Sequence, residues 1–105
     1  MVSNNISENK VRDKIKDYLT NLSRTGNCWF FKVLGNAMQK GGVPDYIICY
    51  KGHFLGIELK KPVDSYGLDG RQKIELSKIK RAGGIIGRGI TSVEELDEII
   101  KSLDN

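Results

Sequence analysis

The order of helix-like and strand-like segments, α-β-β-β-α-β-α, predicts one mixed α/β domain. Three observations carry that prediction. Apolar residues recur at three- and four-residue spacing in three stretches, as amphipathic helices require. Between them lie short runs rich in aromatic and β-branched residues, the composition of strands. Glycines punctuate the junctions, and 105 residues suffice for a single modest core spanning the chain, with no room for a second domain.

Val11, Ile15, Tyr18, Leu19 and Leu22 mark a first helix from about Glu8 to Arg24, with Ser7 as its cap and Ile6 stapling onto Val11. After Gly26, the run from Cys28 to Leu34 reads as a strand. A glycine-rich loop spans Gly35 to Gly42. Two further strands, Asp45 to Tyr50 and His53 to Lys60, are joined at Lys51-Gly52, where glycine supplies the positive φ of a tight turn. Lys61 to Leu68 is expected to be a loop. Asp69 and Gln72 have the spacing of a capping box, opening a helix whose stripe includes Leu76 and Ile79 and which stops at Gly83-Gly84. Gly84 to Ile90 forms the last strand. Ser92 and Glu95 form another capping box, and Val93, Leu96, Ile99, Ile100 and Leu103 give the last helix its apolar face.

A hydrophobic share of 39% and a charged share of 29% fit a soluble globular protein. There is no apolar run of membrane-spanning length, and Met1 to Lys10 lacks the apolar stretch of a signal peptide, so the expected location is the cytoplasm. Cys28 and Cys49 lie within apolar strands and read as buried free thiols, not as a disulfide or a zinc site. Residues 1 to 90 carry 16 Lys/Arg against 8 Asp/Glu, whereas residues 91 to 105 carry 1 against 5. A basic body with an acidic last helix suits a polyanion docked away from that helix.

With Lys51-Gly52 as the two turn residues, Tyr50 pairs with His53, and equal steps outward set Asp45 opposite Glu58. Residues so opposed share a sheet face with Cβ atoms about 4.5 to 5.5 Å apart, so two carboxylates repel unless a cation lies between them. Lys60 projects from the same face, while Leu55, Ile57 and Leu59 point to the other and anchor the strand. Two acids and one ammonium suit phosphodiester hydrolysis, in which oxygen ligands hold Mg²⁺ or Mn²⁺ and a lysine positions or deprotonates water. The main-chain carbonyl of Leu59 is an additional candidate ligand. A solvated polar hairpin face is the alternative.

Three further features bear on the choice. Glu8 continues the apolar stripe of the first helix, pointing a carboxylate inward; it either meets a partner there or complements the positive helix start. Gln72 lies in line with Leu76 and Ile79, placed either to reach a water or phosphate or to complete its capping box with Asp69. The loop from Gly35 to Pro44 delivers Asp45 to the sheet edge; its glycines permit close backbone approach to a phosphate and Lys40 adds charge, without the spacing of a nucleotide-binding P-loop.

Gly42-Val43-Pro44-Asp45, followed after twelve residues by Glu58-Leu59-Lys60, with Gln72 downstream and Gly83-Gly84 after the helix, resembles the virus-type replication-repair (VRR-NUC) nucleases of the PD-(D/E)XK superfamily. The similarity covers nearly the whole chain. It implies a restriction-endonuclease-like αβββαβ core with a mixed central sheet flanked by helices, plus a C-terminal helix. It also implies that Asp45 and Glu58 bind a divalent metal, that Lys60 serves hydrolysis, and that Glu8 and Gln72 complete the site. Small stand-alone members look like phage or bacterial proteins and are similar to junction resolvases acting as homodimers, so branched DNA such as a Holliday junction is the expected substrate. A flap or duplex nuclease without junction preference and a non-catalytic nucleic-acid-binding module are the alternatives.

Phosphate contacts are expected from Lys40, Lys61, Arg71, Lys73 and Arg88, which flank the motif loops or the strand beside them, and not from Lys101. Paired cuts in a junction need two reaction centres, so a homodimer is expected. Its candidate contacts are Trp29, Phe30 or Phe31, with Phe54, Tyr66 and Leu68, because consecutive strand residues cannot all face one side.

Overall fold

A computed structural model of the chain describes residues 4–34, 42–60 and 66–104, without the side chains of 4–9 and 66–69. The elements follow the expected order: α1 (Asn4–Ser23), β1 (Cys28–Lys32), β2 (Tyr46–Tyr50), β3 (His53–Leu59), α2 (Tyr66–Arg81), β4 (Ile85–Ile90) and α3 (Val93–Ser102). The strands form one mixed sheet in the order β1-β2-β3-β4. The first three are antiparallel neighbours, and β4 runs parallel to β3 after the α2 crossover.

Lys51 (φ 49°) and Gly52 (φ 85°) make the turn between β2 and β3. Positive φ at both central residues is the signature of a type I′ turn, whose twist matches that of the flanking strands. The turn sets the register, with Tyr50 opposite His53 and Tyr46 opposite Ile57.

Alternation then sorts the side chains onto two faces. One face presents Tyr46, Ile48, Tyr50, Leu55, Ile57 and Leu59, packed with Ile15 and Leu19 of α1 and Leu96 and Ile100 of α3. All are buried, and this is the main core. Two links between sheet, α1 and α3 tie it together: the Tyr18 hydroxyl donates to Asp97 at 2.8 Å, and the Tyr50 hydroxyl donates to Asp104 at 2.8 Å. Ser92 caps α3 by accepting from the Glu95 N–H, as its capping box predicts, while the Glu95 carboxylate accepts from the Thr91 N–H and hydroxyl, one residue before the cap.

The other face is covered unevenly. Ile79 of α2 and Pro44 pack over Gly56. Trp29, Phe31 and Phe54, which alternate onto this side, stay 60%, 51% and 44% exposed. Trp29 and Phe31 stack with centroids 6.3 Å apart. Phe30, between them, turns to the main core and is half-buried.

Several local expectations are corrected. The α1 backbone is already helical at Asn4, so Ser7 lies inside the helix and not at its cap; no Pro or Gly among residues 4–6 obliges the helix to start later. Helix α2 begins at Tyr66, so Asp69 is not an N-cap and residues 66–68 are not loop. It runs through Gly67 and Gly70 although each opposes a helix by about 1 kcal/mol. Cys49 is exposed, because it alternates onto the uncovered face, whereas Cys28 is buried; both are free thiols. Among the described residues no helix is long and apolar enough to cross a membrane.

Candidate active site

The ladder between β2 and β3 ends at Tyr46 and Ile57, and Asp45 and Glu58 are the next residues outward on the two strands. Continuing the alternation by one step puts both on the α2 side of the sheet, and the Asp45 carboxylate reaches across to the β3 main chain at Leu59. Asp45 is held from both directions. Its carbonyl accepts from the Val33 N–H at 2.8 Å, continuing the β1 ladder, and its Oδ2 accepts from the Leu59 N–H at 2.8 Å. Pro44 ends β2, and the Asp45 side chain takes the Leu59 N–H where a further ladder bond would otherwise form.

Within a strand, a residue's N–H and C=O point to the same side, alternating along the chain. The Leu59 N–H points at Asp45, so the Leu59 carbonyl points that way as well. Lys60 turns its own N–H the opposite way, to the Ile90 carbonyl at 3.0 Å. The Lys60 side chain is exposed and alternates onto the face of Glu58.

Glu58 is a buried carboxylate, with its side chain 5% exposed. Burying an ionised group costs several kcal/mol unless positive charge lies near it. Arg88 of β4 supplies some, with Nε 3.9 Å from Glu58 Oε1. Gln72 is also buried, one turn before Leu76 on the inward stripe of α2. Because α2 returns the chain antiparallel to β3, Gln72 lies roughly 10 Å along the helix from Ile79, in the direction in which β3 runs from Gly56 to Glu58.

Gly42 joins the loop to α2. Its φ is +83°, and a Cβ there would lie 2.5 Å from the main-chain oxygen of Arg71. Glycine at this position lets its main chain lie against the helix backbone immediately before Gln72. On the opposite side of the sheet, the Tyr46 hydroxyl is buried and has no hydrogen-bond partner among the described residues. Burial raises its pKa, opposed in part by the guanidinium of Arg12 on α1. Arg12 lies in the N-terminal half of α1, and the Glu8 backbone is one turn earlier, about 6 Å along the axis. The side chain of Glu8 lies outside the described residues.

The structure thus joins Asp45 to the Leu59 main chain and Glu58 to Arg88, alternates Lys60 onto the face of Glu58, and buries Gln72 on α2. Among the described residues no group of three or more His, Cys, Asp or Glu side chains gathers as a metal site. The donor set is two carboxylates and a carbonyl. These are hard oxygen donors, and Mg²⁺ commonly takes only one or two carboxylates, completing its shell with waters and phosphates, so the residues present fit such an ion.

Of the expected phosphate contacts, Arg71 and Lys73 are exposed on α2 and Arg88 stands beside Glu58, while Lys40 and Lys61 lie outside the described residues. Lys101 pairs with Asp97 at 2.9 Å on α3, away from this side. Sequence inspection overlooked Lys78, Lys80 and Arg81, which with Lys73, Ile74 and Ser77 line a shallow depression on the outer surface of α2. The signal was present: five cations fall between residues 71 and 81. No family model matches the chain, no curated protein matches it, and no solved structure matches it.

Proposed function

We propose that this chain is a metal-dependent DNA endonuclease, similar in its site to the VRR-NUC nucleases and built on their restriction-endonuclease-like core. One observation carries the proposal: the Asp45 carboxylate holds the Leu59 N–H, one step beyond the Tyr46–Ile57 pair, so that Asp45 stands beside the Glu58-Leu59-Lys60 segment, with Glu58 and Lys60 alternating onto one face. A binding module has no use for two facing acids that repel phosphate. When bound, Mg²⁺ or Mn²⁺ would polarise the scissile phosphate and acidify a bound water. Asp45, Glu58 and the Leu59 carbonyl would hold it, and the Glu8 carboxylate is a further candidate. Lys60 orients the attacking water or takes its proton. Gln72, stiffened by burial on α2, orients a water or a phosphate oxygen from above the sheet. The exposed cations of α2 track the backbone of the DNA without reading its bases.

Branched DNA is the proposed substrate, cut by a homodimer of the cytoplasm. The uncovered sheet face favours that assembly: Trp29, Phe31 and Phe54 stay exposed although a strand's large aromatics are ordinarily absorbed by a covering layer. The deciding experiment incubates the protein and its Asp45→Asn and Glu58→Gln variants with labelled junction, flap, duplex and single-stranded DNA in Mg²⁺, Mn²⁺ or Ca²⁺. Cleavage by the parent chain alone, with DNA binding retained by both variants, is the expected result. Cleavage by either variant refutes the site. DNA binding without cleavage of any substrate assigns a non-catalytic nucleic-acid module, and equal cleavage of every substrate removes the junction preference. Light scattering of the protein and of a Trp29→Ser/Phe31→Ser variant tests the dimer, which a monomeric parent mass overturns.

A further inference from the structure

The pairing of β3 with β4 breaks step beside the site. Ile57 is opposite Gly87, but Leu59 is opposite Ile90, so the two residues Arg88 and Gly89 oppose the single residue Glu58. This is a β-bulge on β4. Gly89 adopts φ +68°, the left-handed conformation that favours glycine, and a Cβ there would touch nothing within 4 Å, so the backbone angle alone calls for glycine. The inserted residue returns Ile90 to the main core, where it is buried, and leaves Arg88 on the same side as Glu58. Bulges recur where a side chain must be re-aimed next to a site.

The resulting contact is loose. At 3.9 Å it exceeds hydrogen-bond length, and the Arg88 side chain is 43% exposed while that of Glu58 is 5% exposed. The guanidinium therefore offsets the buried carboxylate electrostatically and keeps an open path to solvent. Charge balance sets the response of Arg88 to an arriving cation. Asp45 and Glu58 carry two negative charges, which a divalent ion held by them would offset. The pull of Glu58 on Arg88 would then weaken, leaving the guanidinium available to an arriving phosphate.

We propose that Arg88 is a displaceable counter-charge: it holds Glu58 while the site lacks a divalent cation, yields to the cation, and then contacts the DNA phosphate. This rests on the assignment of Asp45 and Glu58 as metal ligands. Arg88 is accordingly a positioning residue in one state and a phosphate contact in the other, and Mg²⁺ and DNA binding are coupled through it.

The test is calorimetric titration of Mn²⁺ into the parent protein and the Arg88→Ala, Arg88→Gln, Arg88→Lys and Glu58→Gln variants. Removing a competing cation should tighten Mn²⁺ binding by roughly fivefold in Arg88→Ala and Arg88→Gln, the scale of one partly exposed ion pair. Arg88→Lys should stay near the parent, and Glu58→Gln should bind weakly or not at all. In parallel, DNA affinity is measured against salt concentration with Ca²⁺ and with chelator. Arg88→Ala should lose about one charge of salt dependence in Ca²⁺ and none in chelator. Mn²⁺ affinity unchanged or weakened in Arg88→Ala and Arg88→Gln, with Glu58→Gln impaired, overturns the counter-charge alone. So does an equal loss of salt dependence with and without Ca²⁺. Mn²⁺ binding by the parent that Glu58→Gln leaves intact overturns the ligand assignment, and the counter-charge with it.

Discussion

Replacing Gly42 by alanine separates two kinds of backbone cost in a single position next to the site. The new Cβ would lie 2.5 Å from the Arg71 oxygen and 2.7 Å from its carbonyl carbon, both main-chain atoms that no side-chain rotation can move aside. Overpacking of this kind costs about 1–3 kcal/mol. The φ of +83° adds about 1–2 kcal/mol for a residue with a Cβ. The total, roughly 2–5 kcal/mol, is a large part of the 5–15 kcal/mol that holds a domain of this size together. Gly26 provides the control, since its φ is +85° and its Cβ would meet nothing within 4 Å, leaving only the conformational cost. In thermal unfolding followed by circular dichroism, Tm should fall by roughly 10 to 25 °C in Gly42→Ala and by about 5 to 10 °C in Gly26→Ala, taking about 5 °C per kcal/mol. Equal losses in the two variants would refute the contact between Gly42 and α2. A loss confined to Mn²⁺ affinity, with Tm unchanged, would instead mean that Gly42 approaches a ligand.

Lys60→Ala should lower the turnover of cleavage by at least about a hundredfold with Mn²⁺ affinity unchanged by calorimetry, because lysine supplies no ligand. Neutralising Lys73 and Lys80 together should reduce the salt dependence of DNA binding by about two charges, whereas Lys101→Ala should leave it unchanged; the reverse would move the docking face. Acid should undock α3. Hydrogen bonds from Lys101 and then Tyr18 hold Asp97 below its ordinary pKa of 3.8, and Lys51 and then Tyr50 do the same for Asp104. The Thr91 N–H and hydroxyl lower Glu95 from 4.5. A carboxyl with a depressed folded pKa stabilises the fold above its unfolded pKa and ceases to do so as pH falls through the folded value. Tm should therefore drop between about pH 5 and pH 3, and less steeply in an Asp97→Asn/Asp104→Asn variant.

Much of the candidate site was legible in the chain itself. Local rules sufficed wherever distance along the sequence was short. Lys51 and Gly52 define the turn, and the turn defines the register from Tyr50–His53 out to Tyr46–Ile57, one step short of Asp45 and Glu58. Helical spacing likewise placed Ile15, Leu19, Leu76, Leu96 and Ile100 in buried positions and put Gln72 on an inward stripe.

What periodicity could not supply were contacts between segments far apart in the chain. The helix starts at Tyr66, before the local capping signal of Asp69 and Gln72, and the approach of Gly42 to the Arg71 main chain is a long-range contact that no local signal reports. Covering of one sheet face by α1 and α3, with the other left partly open, decides that Trp29, Phe31, Phe54 and Cys49 are exposed; a strand's own alternation says only which residues share a side. The bulge at Arg88 and Gly89 is the clearest case. A strand pattern reports period, and an inserted residue registers only against the partner strand, so the meeting of Arg88 with Glu58 was decided by tertiary pairing alone.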